Sequence, residues 1–169
     1  MASISMYDAA VPTMCRVLDN LAAVLQKAQA HAEAKKIEPG VLINARLFPD
    51  MFALAKQVQI CSDAAKGGAA RLAGVEAPAF EDKEASFPEL VERCNKTVAY
   101  LKTLKPEQFA GSEDRTVTWK TRTAEKSMQG MPYLLNHVLP NLFFHSSTAY
   151  GILRHNGVEL GKQDFLGRT

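Results

Sequence analysis

The stretch YLLNHVLPNLFFHSSTAYGILRHN, Tyr133 to Asn156, decides the fold. Leu134, Leu135, Val138, Leu139, Leu142, Phe143, Phe144, Ala149, Tyr150, Ile152 and Leu153 make it apolar on nearly every side. A helix of that kind belongs in the middle of a helical protein rather than on its surface. Pro140 lacks the N–H that would bond one turn back, which predicts a kink. Asn156 and Gly157 are residues that leave a helix through a left-handed turn.

Upstream of this helix, Thr116-Val117-Thr118-Trp119 alternates and is rich in β-branched and aromatic residues, so a short hairpin or extended segment is expected within residues 112–128. Before it, Phe87 to about Leu104 places Leu90, Val91, Cys94, Val98 and Leu101 on one side, with Ser86 as cap and Pro88 and Glu89 in the first turn. Residues 74–86 hold Gly, Pro and mixed charge and read as a connection. Pro49 and Asp50 open another helix that runs to about Leu72, with Phe52, Leu54, Val58, Ile60 and Cys61 in its body. Its Gly67-Gly68 pair marks either a bend or a close helix contact. The first helix spans about Ser5 to Lys36, carries Pro12 in its early turns, and lines up Met14, Val17, Leu18, Leu21, Val24, Leu25 and Ala28. Glu38-Pro39-Gly40 then breaks the pattern. Four long helices and a small hairpin predict a mainly α protein, an up-down four-helix bundle.

The 169 residues suit one domain, 1–169, and a chain of that length buries roughly two thirds of its unfolded surface. Its 47% hydrophobic and 22% charged residues are those of a globular protein. The formal charge is only +2 and the Lys and Arg residues are scattered, which argues against nucleic acid as a partner. The N-terminal MASISMYDAAVPTMCRV has no basic leader with an apolar core, and no run is long enough to span a membrane, so a cytoplasmic protein without membrane attachment is expected. Cys15, Cys61 and Cys94 form no CxxC pair and read as buried thiols.

Candidate chemistry lies on the last helix, where His137, Asn141 and His145 are spaced four apart and share a face that is otherwise apolar. Either they satisfy one another in the core, or they line an interior pocket, since bundles build ligand and metal sites from inward-facing side chains. The adjacent Ser146, Ser147 and Thr148 do not face one another, so their hydroxyls are expected to bond back to helix carbonyls. Trp119 is a packing residue or, near the bundle mouth, a platform for a ligand. The chain has no glycine-rich phosphate loop, no HExxH and no GxSxG.

Leu139-Pro-Asn-Leu-Phe-Phe-His145 and its continuation Ser-Ser-Thr-Ala-Tyr-Gly-Ile-Leu-Arg-His-Asn-Gly157, with Leu47-Phe-Pro-Asp-Met51 and Gln57-Val-Gln-Ile-Cys-Ser-Asp63, resemble the domain of unknown function 1993 family. The resemblance covers nearly the whole chain. It implies a DinB/YfiT-like bundle, whose usual site is one histidine from the second helix and an HxxxH pair from the last, binding a divalent metal such as zinc, nickel or iron. Some relatives in that superfamily are thiol-dependent transferases or isomerases. The second histidine of the pair matches His145, the first matches Asn141, and the histidine of the second helix falls on or near Gln57. Two of three ligands are thus replaced by amides, which are weak ligands for such metals. His137 is a further nitrogen and Asp50 or Asp63 a carboxylate, but one histidine and two amides fall short of a zinc site.

The expectation is therefore a DinB-like bundle protein with a degenerate metal site. Its interior polar pocket, formed by Gln57, Asn141, His145 and His137, binds a small polar or anionic ligand, and no resident cofactor is expected. Two alternatives stay open. One is a metal- or thiol-dependent transferase or hydrolase with His145 as metal ligand or general base. The other is a structural homodimer without catalytic activity, with exposed apolar faces buried across a two-fold axis.

Overall fold

The computed structural model of the chain describes residues 4–121 and 123–167. Four long helices make the body: α1 (Met6–Lys35), α3 (Leu54–Ala73), α4 (Phe87–Leu101) and α6 (Leu139–His155). Shorter elements join them. These are α2 (Pro39–Ile43), a 3-10 turn (Pro106–Phe109), the strands β1 (Thr116–Lys120) and β2 (Glu125–Gln129), α5 (Gly130–Tyr133), a π-helical turn (Leu134–Val138) and α7 (Lys162–Leu166). α1 lies against α4 and α6, and α3 against the same two, so α1 and α3 face each other across the centre. Residues 36–53 and 102–138 therefore carry the chain between diagonally opposite helices, whereas 74–86 links neighbours. Leu18, Leu25, Leu54, Val58, Leu90, Leu101, Leu142 and Ile152 belong to one continuous apolar core.

Local chemistry sets the boundaries. Ser5 caps α1 by accepting the Asp8 N–H at 3.1 Å, and Lys36 closes it in the left-handed region at φ 55°. Ser86 accepts from Glu89 N–H, and the Glu89 carboxylate accepts from Ala85 N–H in return, a reciprocal cap for α4. The strands pair antiparallel, Thr116 with Gln129 through Lys120 with Glu125, and Val117 and Trp119 point into the core from alternate positions. At the far end of α6, Gly157 adopts φ +91° and its N–H bonds the Arg154 carbonyl.

The second long helix departs from its expected start. It begins at Leu54 and not at Pro49, because residues 48–51 close a turn of their own, Met51 N–H to Phe48 carbonyl at 3.0 Å. Phe52 consequently points outward and is 52% exposed, and Asp50 is exposed. Pro39, expected only as a breaker, starts the short α2 as its first helical residue. The two glycines of α3 have separate roles. A Cβ on Gly68 would sit 2.5 Å from Val138 Cγ1, so this is a close contact between helices and not a bend. A Cβ on Gly67 would sit 2.9 Å from Arg71 Nη1.

The last helix differs most. Pro140 causes no simple kink. The turn before it widens to π geometry, with Leu139 N–H bonding the Leu134 carbonyl five residues back. Nor is the helix buried all round: Leu135, Phe143 and Phe144 are exposed, so its apolar character exceeds what the core absorbs. The three cysteines are free and buried, and burial pushes the Cys94 thiol up to about 12. Among the described residues no helix is long and apolar enough to cross a membrane.

Candidate functional site

The four polar residues singled out from sequence do not form one site. Gln57, on α3, and His145, on α6, face each other in the interior, 1% and 8% exposed, with Oε1 2.6 Å from Nδ1. The Gln57 amide also donates from Nε2 to the Phe52 carbonyl at 3.0 Å. That orientation leaves Oε1 facing the ring, and an amide oxygen only accepts, so His145 carries its proton on Nδ1. Burial lowers the His145 pKa and favours the neutral ring. These two residues satisfy each other.

His137 and Asn141 instead border a cleft of about 200 Å³ between α3 and the π-turn, together with Ile60, Asp63, Ala64, Arg71, Tyr133 and Val138. Helical geometry explains the separation. At about 100° per residue, positions eight apart are already rotated by roughly 80°, and His137 lies inside the widened turn besides. The shared face inferred from spacing therefore divides: His145 turns inward to form an inner pair with Gln57 of α3, and His137 and Asn141 form an outer pair.

The cleft has a defined wall and a defined charge. His137 stacks on Tyr133, with ring centres 5.5 Å apart, and on Trp119 at 4.7 Å. Arg71 Nη1 donates to the Tyr133 hydroxyl at 3.1 Å, folding back over the space that Gly67 leaves open. Burial, and then the charges of Lys126 and Arg71, hold the His137 pKa below the ordinary histidine value. Asp63 is the one carboxylate lining the cleft, and its Oδ1 is already met by Lys66 Nζ at 2.8 Å and Arg93 Nη2 at 2.9 Å. Among the described residues, neither Arg71 nor Lys126 has a carboxylate partner, and the Asn141 amide has no hydrogen bond.

A larger groove of about 670 Å³ runs between residues 79–84 and α4. Its charges are engaged: Glu84 with Arg93, Lys83 with Glu81, Lys96 with Glu92, and Glu89 in the α4 cap. It offers no free group to orient a ligand.

The divalent metal implied by the resemblance does not fit these residues. Its three matched positions hold one imidazole, whose Nδ1 is bonded to Gln57, one amide committed to that bond, and a second amide in a different cleft. Asp50 is exposed and Asp63 is paired with two cations. Ser146 and Thr148 bond back to the carbonyls of Phe143 and Phe144. Trp119 is buried packing that also backs the cleft.

Arg71 and Tyr133 escaped the sequence reading. A signal was present, because Ile60, Ala64, Gly67 and Arg71 recur at helical spacing along one face of α3, and a lone arginine ends that face.

The chain resembles a crystal structure of a DinB family member protein from Shewanella denitrificans, with 42% sequence identity, a TM-score of 0.91, and 97% of this chain and 93% of that one covered. No curated protein matches it. The model of the domain of unknown function DUF1993 matches residues 6–166, and on that match together with the shared fold, the chain belongs to the DUF1993 family of DinB-like proteins.

Proposed function

We propose that the cleft between α3 and the π-turn binds a small anion, a carboxylate or phosphate, without a resident metal. The observation that carries this reading is the charge balance. Asp63 is countered by Lys66 and Arg93, while Arg71 has no carboxylate partner among the described residues and stands beside the open Asn141 amide. Tyr133 Oη accepts from Arg71, which leaves its own O–H to donate, and burial raises its pKa and keeps it protonated. An anion thus meets a guanidinium, an amide and an imidazole, with the aromatic face of Trp119 behind them. His145 and Gln57 take no direct part and hold α6 against α3.

Trp119 is the only tryptophan and stacks on His137, so its fluorescence is a built-in reporter. Titration with acetate, benzoate and inorganic phosphate should give a saturable change for at least one of them. Replacing Arg71 by Met should weaken that binding at least about tenfold, since a hydrogen bond to a charged group contributes about 1.5–3 kcal/mol. A linear response to all three anions, or equal affinity in the variant, would sink the reading.

A further inference from the structure

Residues 127–153 contain no Asp, Glu, Lys or Arg, yet part of this stretch faces solvent. Pro140, Phe143 and Phe144 lie three and four apart on the outer side of α6. The turn before α3 extends the same surface. Leu47 comes within 3.8 Å of the position a Cβ would take on Gly151, and the Phe52 carbonyl is bonded to Gln57, the partner of His145. The Phe144 ring in turn stands edge-on to His145, ring centres 5.1 Å apart. Phe48 at 64% and Phe144 at 56% are more than half exposed, as is Phe52, and Phe143 is 39% exposed.

Taking about 200 Å² for a whole aromatic side chain, these four phenylalanines present roughly 420 Å² of apolar surface. That lies within the range of the largest single apolar patch on a typical monomer, a patch that is often functional. It also matches a stable interface, which covers about 800 Å² per partner and is about 60% apolar. A two-fold contact sets a patch against itself, so a charge on the axis meets its like while an off-axis residue meets a different one, and a self-docking surface is best uncharged at its centre. This one is, and its rim carries both signs, Arg46 and Asp50.

We propose that this face docks a second copy of the chain in a two-fold dimer, centred on Phe48, Phe52, Phe143 and Phe144. The reading is independent of the anion cleft, whose residues it does not use.

Sedimentation equilibrium and light scattering on the full chain, across the micromolar range, test it. The expected mass is twice the 18.5 kDa of one chain. Phe144→Glu should weaken the dimer at least about thirtyfold, as loss of a central aromatic anchor does. Lys96→Glu, an exposed change on α4, should leave it intact. If Phe144→Glu fails to fold by circular dichroism, Phe48→Glu in the turn outside the long helices replaces it. A monomeric wild type overturns the proposal, including one that instead binds lipid vesicles or another protein through this face. So does a dimer that survives both charge substitutions.

Discussion

On the side of α3 that meets α4, Arg93 gathers Asp63, Asp82 and Glu84 and donates to Ser62 and to the Glu81 carbonyl. On the side that meets the π-turn, Arg71 reaches only a tyrosine hydroxyl, and Asn141 reaches nothing among the described residues. The two regions use similar side chains to different ends. Arg93 is buried with all three side-chain nitrogens engaged, and with Lys66 it flanks the Phe80 ring, so residues 80–84 are stitched to the bundle. Lys56 and Gln59 add a second row, to Asp82 and Glu84. Saturated groups hold shape. Unsaturated ones, kept open on a rigid frame, are free to hold something else.

The largest effect should come from breaking the saturated side. Arg93→Met leaves Asp82, Glu84 and Ser62 short of a partner and should cost about 3 kcal/mol in urea unfolding, the lower part of the range for a buried pair because the carboxylates keep contact with water. A loss under about 0.5 kcal/mol would mean that the network is ornamental and the contrast between the two sides is false. Next comes the inner pair. Gln57→Ala strands His145 Nδ1 and should cost about 2 kcal/mol, within the range for an unsatisfied buried group, and a double-mutant cycle with His145→Ala should show coupling. Additive losses would show that the 2.6 Å bond contributes nothing.

Acid should separate the two regions by pH window. His137 and His145 have lowered pKa values, so the unfolded chain binds protons first and stability falls as pH drops through the ordinary histidine range near 6.5. For Asp82, burial works to raise the pKa, but the Lys56 hydrogen bond and the Arg93 charge outweigh it; for Glu84, burial is likewise outweighed, by hydrogen bonds led by that from Arg93. Both carboxylates end lowered. Their contribution is complete above the ordinary carboxylate range near 4 and is lost below it. Unfolding followed from pH 8 to pH 3 should therefore decline in two stages, and replacing both histidines with glutamine should remove the upper one. A single stage in the wild type would merge the regions. The smallest effect on stability belongs to the open side. Asn141→Ala should change unfolding by less than about 0.5 kcal/mol while weakening anion binding, and the reverse pattern would make Asn141 a structural residue.

Legibility in the sequence followed the range of the interactions. Ser5, Ser86 and Gly157 mark their helix ends because caps are local chemistry, and Thr116 to Trp119 announces a strand because alternation is local too. Pro49 and Asp50 promised a helix start but form a turn, because the bonds of residues 44–54, including Leu54 N–H to the Ala45 carbonyl, favour a later beginning. Hydrophobicity all round the last helix was read as burial, whereas Phe143 and Phe144 show that it measures character and not neighbours. The candidate site was half legible. Polar residues on the last helix stood out against its apolar background, but their grouping assumed an even 3.6 residues per turn, and the π-turn breaks that assumption. Arg93 gave a signal that went unused: it stands within the stripe Leu90, Cys94, Thr97, Leu101, where a charge must be paired.

The π-turn amounts to one surplus residue carried inside a helix. Everything before it, including Tyr133 and the hairpin, is out of phase with everything after it by about 100°. Deleting one residue between Leu134 and Val138 would let the helix run evenly into Leu139, at the expense of swinging the Trp119, Tyr133 and His137 stack away from Arg71 and Asn141. The surplus residue thus sets the phase between the two halves of one helix, and it is this longer frame that closes the wall of the cleft.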